Sequence, residues 1–284
     1  MKAVILAAGL GTRLLTTTKS VPKEMFPVFC KGESGELITK PFIQLVFETL
    51  YDAGFRDFIF VVGKGKNAIR EHFTPDQSFI NLLRYHGKED MALELEKFYE
   101  KVEESTLIFV TQREPLGTGD AVLNVKKLTG QEPFLVHFGD DLLIPLRGGN
   151  SLLKLKGLFN DMDAEAAVTI MEVDEPFKYG IAFCEKIKDE IYRIYRIEEK
   201  PPTPKSNFAI VSNFIFKSSI YRYIEKVGVD NALKEVLLTA AIESLIEDGG
   251  EVYALLASNV KRLEVGSPKT YEESLRLSAE LAEL

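Results

Sequence analysis

The chain has 284 residues, with 35 Lys and Arg against 43 Asp and Glu, so its formal charge at pH 7 is −8. This length closes a large hydrophobic core without disulfides or metals, and an acidic chain without Lys/Arg clusters is a poor candidate for binding nucleic acid. Cys30 and Cys184 match no metal-ligand spacing, and no apolar run suits a membrane span or a signal peptide. We therefore expect a cytoplasmic protein with reduced thiols and no nucleic-acid or membrane partner, and an enzyme is the first hypothesis.

The first half of the chain alternates predicted strands and helices. Continuous apolar runs predict strands that are buried on both faces of a parallel sheet, at residues 3–7, 58–62, 107–111, 134–138 and 166–171. Helical periodicity lies between them, at residues 41–53, 67–73, 92–102 and 118–128. This alternation predicts a Rossmann-like α/β fold, with a mostly parallel central sheet and helices on both faces. Ligands of such sheets bind beyond the carboxyl ends of the strands.

After about residue 172 the pattern changes. Residues 179–184, 190–197 and 207–216 read as strands joined by turns, which predicts a smaller antiparallel β extension. Helical patterns return before and after one more strand, at 219–227, 232–247 and, past the strand 252–256, from Pro268 onward. Without repeats or a long linker, we expect a single domain over 1–284 with two halves, 1–171 and 172–284.

A glycine loop follows the first predicted strand. Gly9 and Gly11 stand where backbone amides can approach phosphates, but Leu14 takes the place of the third glycine of a dinucleotide fingerprint, and no standard P-loop is present. Residues 1–23 contain no Asp or Glu, and Arg13, Lys19 and Lys23 are interleaved with Thr and Pro rather than set at helical spacing. These features favour a polyphosphate-binding loop over a solvated basic face.

A series of motifs in a fixed order then resembles the sugar-1-phosphate nucleotidyltransferase family. KAVILAAGLGTRL at 2–14 is followed by Thr18-Lys19, PKEM at 22–25, GKGKNAIREHF at 63–73, EPLGTGDAV at 114–122, FGDD at 138–141, Tyr179-Gly180, EKP at 199–201, SNFIF at 212–216 and EVGSP at 264–268. PKEM and GKGKNAIREHF resemble in particular the bacterial-type UTP–glucose-1-phosphate uridylyltransferases. The resemblance spans nearly the whole chain, and it implies a nucleotide-binding half at 1–171 and a sugar-binding half with a C-terminal helix at 172–284.

The reaction that the resemblance implies joins UTP and glucose 1-phosphate into UDP-glucose and pyrophosphate with the help of Mg²⁺. Arg13 and Lys23 would hold the triphosphate, and Lys200 would hold the sugar phosphate. Asp140, just past a buried strand, would be a Mg²⁺ ligand, and Glu264 would be the second where the family usually has Asp. Asp141 would point elsewhere, because neighbouring side chains of an extended chain alternate.

The resemblance also implies the residues that recognise the base and the sugar. Gln112 and Gly117 would lie against the pyrimidine edge, and the other expected nucleotide-binding residues are Ala8, Gly9, Gly11 and Thr12. The expected sugar-binding residues are Gly180, Glu199, Lys200 and Asn213. Ala240 replaces an Asp that is typical of the uridylyltransferases, which affects either sugar selectivity or a structural hydrogen bond. The family also suggests a homodimer or homotetramer, with the C-terminal helix as a contact.

Three other functions stay open from the sequence. A thymidylyltransferase or an enzyme of broad specificity is the nearest, because uracil and thymine differ by one methyl group. A catalytically silent paralogue that binds UDP-sugars is favoured only by Glu264 and Ala240. An NAD-dependent dehydrogenase is disfavoured by Leu14.

Overall fold

The computed structural model describes residues 1–146, 150–230 and 233–283. In the first half, the elements in chain order are β1 (Lys2–Ala7), β2 (Pro27–Lys31), β3 (Leu37–Pro41), α1 (Phe42–Asp52), β4 (Asp57–Gly63), α2 (Asn67–His72), α3 (Gln77–Tyr85), α4 (Glu89–Glu103), β5 (Thr106–Gln112), α5 (Thr118–Leu123), α6 (Lys126–Thr129), β6 (Phe134–Phe138), β7 (Asp141–Pro145), α7 (Ser151–Asp161) and β8 (Ala166–Glu172). Short 3₁₀ helices at Thr12–Leu14, Thr17–Lys19 and Lys23–Met25 fill the segment between β1 and β2.

In the second half the order is β9 (Gly180–Lys188), β10 (Ile191–Glu199), β11 (Phe208–Phe216), α8 (Ile220–Val227), α9 (Leu238–Glu247), β12 (Val252–Leu256), β13 (Val260–Glu264) and α10 (Pro268–Ala282). A 3₁₀ helix at Pro176–Lys178 precedes β9. None of the helices in the described residues is long and apolar enough to cross a membrane.

Both halves contribute to one central sheet, which has nine strands in the described residues. Their order is β5-β4-β1-β6-β11-β8-β12-β10-β9. The four strands from β5 to β6 are parallel, whereas β11 runs antiparallel to both of its neighbours, β6 and β8. The predicted antiparallel strands therefore continue the parallel sheet, and the α/β fold class is confirmed.

The first strand shows why its sequence is apolar throughout. Ala3, Ile5 and Ala7 face a hydrophobic cluster that includes α1 and α7, while Val4 and Leu6 face a second cluster with α5, α8 and α9. Because both faces of the strand are covered by helices, every side chain between Ala3 and Ala7 is buried.

Some elements differ from the predictions. The predicted helix 118–128 is interrupted after Leu123. The helix predicted over 232–247 begins at Leu238, and Ala232 lies outside the described residues. β2 and β3 form a hairpin, and β7 pairs with β13 across a sequence separation of more than a hundred residues. These strands are short and show no clear alternation of apolar and polar residues, so no local sequence pattern predicts them.

Candidate active site

A cleft of about 570 Å³ opens at the carboxyl ends of β1, β5 and β6. The chain leaves β1 toward β4 on one side of the sheet, and β6 lies on its other side, so this edge is a topological switch point. The loops on either side of such a point diverge and leave a crevice. Twelve of the predicted site residues line it: Ala8, Gly9, Gly11, Thr12, Arg13, Lys23, Gln112, Gly117, Asp140, Gly180, Glu199 and Lys200.

The segment after β1 forms one wall of the cleft. Gly11 has a φ of 66° and begins the 3₁₀ helix that carries Arg13. The hydroxyl of Thr18 donates a hydrogen bond of 2.9 Å to the Gly11 carbonyl, which closes the loop on itself. Arg13 and Lys23 both face the cleft from this wall, whereas Lys19 is not among the described residues that line it.

Lys23, in the segment between β1 and β2, forms an ion pair with Asp140, which follows β6. The Lys23 ammonium donates to Asp140 Oδ2. Burial disfavours the charged form of each side chain, but for both residues the attraction of opposite charges and the hydrogen bond between them together outweigh burial. The pKa of Lys23 is raised by Asp140 and Glu24, and the pKa of Asp140 is lowered by Lys23. Both side chains are therefore charged at neutral pH.

A second ion pair supports this wall from behind. The Lys66 ammonium donates to both carboxylate oxygens of Glu24, at 2.8 and 2.9 Å, and to the Ala7 carbonyl at 2.8 Å. Glu24 is 1% exposed; burial raises its pKa, and burial also lowers that of Lys66. Lys66 thus fixes the segment that holds Lys23 to the end of β1, a role that the GKGKN motif did not reveal.

Asp141 turns away from the cleft, as the alternation of an extended chain predicts. Its carboxylate accepts two hydrogen bonds from Arg262, of 2.7 and 2.9 Å, and one from the Ser212 amide. Asp141 therefore joins β7, β13 and β11, and its role is structural.

Glu264, at the end of β13, does not line the cleft in the described residues but lies close behind it. A Cβ on Gly266 would lie 2.7 Å from Glu264 Oε1 and 3.0 Å from Arg13 Nη2, so these two side chains meet at that glycine. Burial raises the pKa of Glu264, and both Asp140 and Asp141 add to the rise. The Val265 amide also donates to the Asp140 carbonyl, which ties β13 to the Asp140 loop.

The donor set of this region suits a hard cation that is shared with a substrate. No group of three or more His, Cys, Asp or Glu side chains converges on one point in the described residues. Mg²⁺ is commonly bound by one or two carboxylates, with phosphate oxygens and water completing the octahedron. Asp140 in the cleft and Glu264 behind it supply that number of carboxylates, so the residues present fit Mg²⁺.

Gln112 lies at the end of β5 and is 5% exposed. Its Nε2 donates to Asp120 Oδ2 at 2.7 Å and to the Gly117 carbonyl at 3.1 Å. Gly117 has a φ of 95°, and a Cβ there would come within 2.8 Å of the Val236 carbonyl. Only glycine therefore permits Glu235 and Val236 to pack this closely over the loop.

The opposite wall comes from β9, β10 and the start of α9. A Cβ on Gly180 would lie 2.7 Å from Thr239 Cγ2 and 3.1 Å from Glu199 Oε2, so glycine allows these groups to converge. Thr239 donates a hydrogen bond of 2.8 Å to Glu199, and Lys200 Nζ is 3.2 Å from the same carboxylate. Lys200 is half exposed toward the cleft. Thr239 was not predicted, although it precedes the unusual Ala240.

Asn213 requires a correction. It does not line the cleft in the described residues but lies with His137 in a separate cavity of about 170 Å³ on the opposite face of the sheet. β11 has a register shift between Val211 and Phe214, and Phe214 takes the place that faces the cleft. The predicted sugar-binding role of Asn213 is therefore not supported by its position.

Other lining residues had no signal of their own in the sequence. Lys178 adds a cation next to Tyr179-Gly180, and apolar side chains cover the floor, namely Leu6, Phe138, Ile210, Phe214 and Leu238. A nucleoside sugar has an apolar ring face and many polar groups, and this combination of floor and walls suits such a ligand.

Comparisons with known proteins agree with this geometry. The family model described as Nucleotidyl transferase matches residues 2–280. The UTP–glucose-1-phosphate uridylyltransferase of Pseudomonas aeruginosa is 33% identical over 279 residues, which cover 96% of this chain and 94% of that protein. The enzyme of the same description from Streptococcus pneumoniae serotype 4 is 36% identical over 251 residues, covering 86% of this chain and 79% of that protein.

Solved structures show the same similarity. UDP-glucose pyrophosphorylase complexed with UDP-glucose superposes with a TM-score of 0.83 at 27% identity, covering 99% of this chain and 98% of that one. A UTP-bound UGPase from Acinetobacter baumannii gives a TM-score of 0.83 at 28% identity, with coverage of 99% and 97%. The resemblance that the motifs indicated is thus confirmed over almost the full chain.

Proposed function

This chain belongs to the nucleotidyl transferase family, and we propose that it is a UTP–glucose-1-phosphate uridylyltransferase, which forms UDP-glucose and pyrophosphate. The observation that carries the proposal is the cleft at the carboxyl ends of β1 and β6. One wall of this cleft contains Arg13, Lys23 and Asp140, and the opposite wall contains Glu199 and Lys200. The relatives from Pseudomonas aeruginosa and Streptococcus pneumoniae support the choice of substrates.

The nucleophile needs no protein base. The phosphate of glucose 1-phosphate is already an anion at neutral pH, because the second pKa of a phosphate monoester is about 6. One of its oxygens bonds to the α-phosphorus of UTP while the bond from that phosphorus to the bridging oxygen breaks, and pyrophosphate leaves with the electron pair. Catalysis then consists of positioning and of compensating negative charge.

Arg13 and Lys23 bind the triphosphate and neutralise charge on the departing pyrophosphate. Backbone groups of Ala8, Gly9, Gly11 and Thr12 approach the nucleotide from the same loop. This is supported by the position of the loop at the end of a buried strand, where its residues line the cleft. For Lys23 to reach a phosphate, its ion pair with Asp140 has to open.

The sugar phosphate binds at the other wall. Lys200 holds the phosphate, Glu199 accepts hydrogen bonds from the sugar hydroxyls, and Gly180 lets the backbone come close to the ring. The hydrogen bond from Thr239 keeps one Glu199 oxygen in place and leaves the other next to Lys200. Ala240 is no obstacle to this arrangement, because Thr239 supplies the contact with Glu199.

A divalent metal ion is typical of this family, and we propose Mg²⁺ held by Asp140 and Glu264. When bound, it supplies positive charge that neutralises the phosphates. The longer side chain of Glu264, compared with the usual Asp, still supplies the same hard oxygen donors.

One assay panel tests the proposal. Pyrophosphate release is measured with UTP or dTTP against glucose 1-phosphate, for the wild type and for Asp140→Ala. We expect turnover with UTP, and a loss on the order of 10³-fold or more in kcat for Asp140→Ala, because the proposed metal ion loses its carboxylate ligand in the cleft. Asp161→Ala, which removes an exposed carboxylate at the end of α7, is the matched control.

The outcomes separate the alternatives. A dTTP rate as high as that with UTP favours a thymidylyl or broad-specificity enzyme, and tight UDP-glucose binding without any pyrophosphate release favours a silent sugar-binding paralogue.

The cytoplasmic location, the homo-oligomeric state and the division into the halves 1–171 and 172–284 stay predictions. Size-exclusion chromatography with light scattering measures the oligomeric state.

A further inference from the structure

We propose that Asp120 determines base specificity: by fixing the amide of Gln112, it makes the cleft accept uracil and reject cytosine. The inference rests on the proposed function, since it concerns the base of the nucleotide that enters this cleft. Asp120 itself faces Gln112 from α5 and is a positioning residue.

The orientation of the Gln112 amide follows from its two partners. Asp120 Oδ2 lies 2.7 Å from the side-chain nitrogen and the Gly117 carbonyl lies 3.1 Å from it. An ionised carboxylate and a backbone carbonyl can only accept hydrogen bonds. The NH₂ group, which alone can donate, must therefore face both of them, and the amide oxygen must point the other way.

The amide oxygen of Gln112 is consequently the group left for a ligand. In the part of the chain that the structure describes, no hydrogen bond to this oxygen is found, and Gln112 lines the cleft. An acceptor in a largely buried position requires a donor from the base. Uracil offers its N3–H, whereas N3 of cytosine carries a lone pair that would face the oxygen and repel it.

Asp120 contributes more to this orientation than Gly117 does. The Gly117 carbonyl already accepts a hydrogen bond from the Ala121 amide at 3.1 Å, so it does not depend on Gln112. Asp120 supplies a shorter, charge-assisted hydrogen bond, which is about twice as strong as a neutral one. Asn124 donates to the same carboxylate at 3.1 Å and to the Asp120 carbonyl at 2.8 Å, which steadies it.

The test compares kcat/KM for UTP, dTTP and CTP in the wild type and in Asp120→Ala. Without the carboxylate, the amide can turn its NH₂ toward N3 of cytosine at little cost. We expect the UTP:CTP ratio to fall about tenfold or more, the size expected for losing one charge-assisted hydrogen bond. The UTP:dTTP ratio should stay unchanged, because thymine presents the same N3–H.

Two further variants make the result specific. Asp120→Asn retains an acceptor oxygen, so it should keep more of the UTP:CTP ratio than Asp120→Ala. Lys127→Ala, which removes an exposed side chain of α6, is the control, and all three rates should stay close to those of the wild type.

A general loosening of the loop would lower kcat/KM for the three nucleotides by one common factor. That result, or an unchanged UTP:CTP ratio in Asp120→Ala, would overturn the assignment of Asp120. If the wild type releases no pyrophosphate with any of the nucleotides, it is the proposed function that fails.

Discussion

Gly266 lies where two proposed site residues approach each other. Its missing side chain leaves room for Glu264 Oε1 and Arg13 Nη2, which would be 2.7 and 3.0 Å from a Cβ at this position. Both neighbours are the far ends of flexible side chains, so a methyl group would displace them rather than break the backbone. A change at one residue can therefore separate the effect on the site from an effect on stability.

We expect Gly266→Ala to lower kcat on the order of 10–100-fold, because a misplacement of about 1 Å in a positioning group has an effect of that size. The thermal midpoint should change by only a few degrees. Steady-state kinetics and thermal unfolding of the same preparation measure the two effects. Gly157→Ala is the matched control, since nothing lies within 4 Å of a Cβ there; an equal loss of kcat in both variants would contradict the explanation.

Individual residues differ in how far the sequence could predict them. Arg13, Lys23 and Asp140 belong to motifs with a fixed place relative to β1 and β6, and the structure brings all three to the cleft. The face of the sheet on which Asn213 lies could not be read from the sequence, because the register shift in β11 depends on the neighbouring strands. His72 lies in the GKGKNAIREHF motif, but its ring stacks on Phe98 of α4 with centroids 4.9 Å apart, a contact that the motif does not reveal.

Among the secondary-structure elements, the small sheet of β7 and β13 connects the two proposed metal ligands, Asp140 and Glu264, to the rest of the fold. Asp141 begins β7 and Arg262 lies on β13, and the two side chains form a bidentate ion pair in which both are largely buried. Arg262 Nη2 also lies 3.3 Å from Glu264. The position of Glu264 therefore depends on this pair.

Arg262→Met should lower the free energy of unfolding by about 3–5 kcal/mol, because it leaves the buried Asp141 carboxylate without its partner. Asp141→Asn combined with Arg262→Met should cost less than the single change, since the buried charge of Asp141 is then removed together with its partner. Urea denaturation measures both. Arg193→Met, which breaks the exposed pair with Glu251, should cost about 1 kcal/mol or less; a similar loss in both single variants would argue against the role of burial.

The elements that the sequence predicted are those with a strong local signal. The buried parallel strands and α1 were found because their apolar patterns reflect coverage by helices on both faces of the sheet. The pairing of β7 with β13 is decided by contacts between distant segments, and the late start of α9 follows from the packing of Glu235 and Val236 on Gly117. Neither cause is visible in a local window of sequence.

At the scale of the whole molecule, stability in acid depends on a histidine that is not among the described residues lining the cleft. His72 Nε2 donates a hydrogen bond of 2.9 Å to Gln44 Oε1, and the ring packs between Phe73 and Phe98. Burial lowers its pKa from 6.5 to about 4. The unfolded chain therefore binds a proton between these two values that the folded protein does not bind.

Because of this difference, the contribution of His72 to the free energy of unfolding should be constant above about pH 6.5. It should fall as the pH drops toward 4. The loss by pH 5 should be about 2 kcal/mol. His72→Phe keeps the aromatic packing without the titration, so its stability should fall less between pH 7 and pH 5. Urea titrations at the two pH values check this, with the exposed His86→Gln as the control; equal losses in the wild type and His72→Phe would disprove it.

The contact between residues 116–119 and residue 236 also has a consequence for the order in which the protein is made. The Val236 amide donates to the Leu116 carbonyl at 2.6 Å, and the Gly119 amide donates to the Val236 carbonyl at 2.8 Å. A ribosome adds about 5–20 residues per second, so the loop that carries Arg13 and Lys23 leaves the exit tunnel many seconds before the segment that encloses the cleft. A nascent chain therefore gains the complete binding cleft only in the last part of its synthesis.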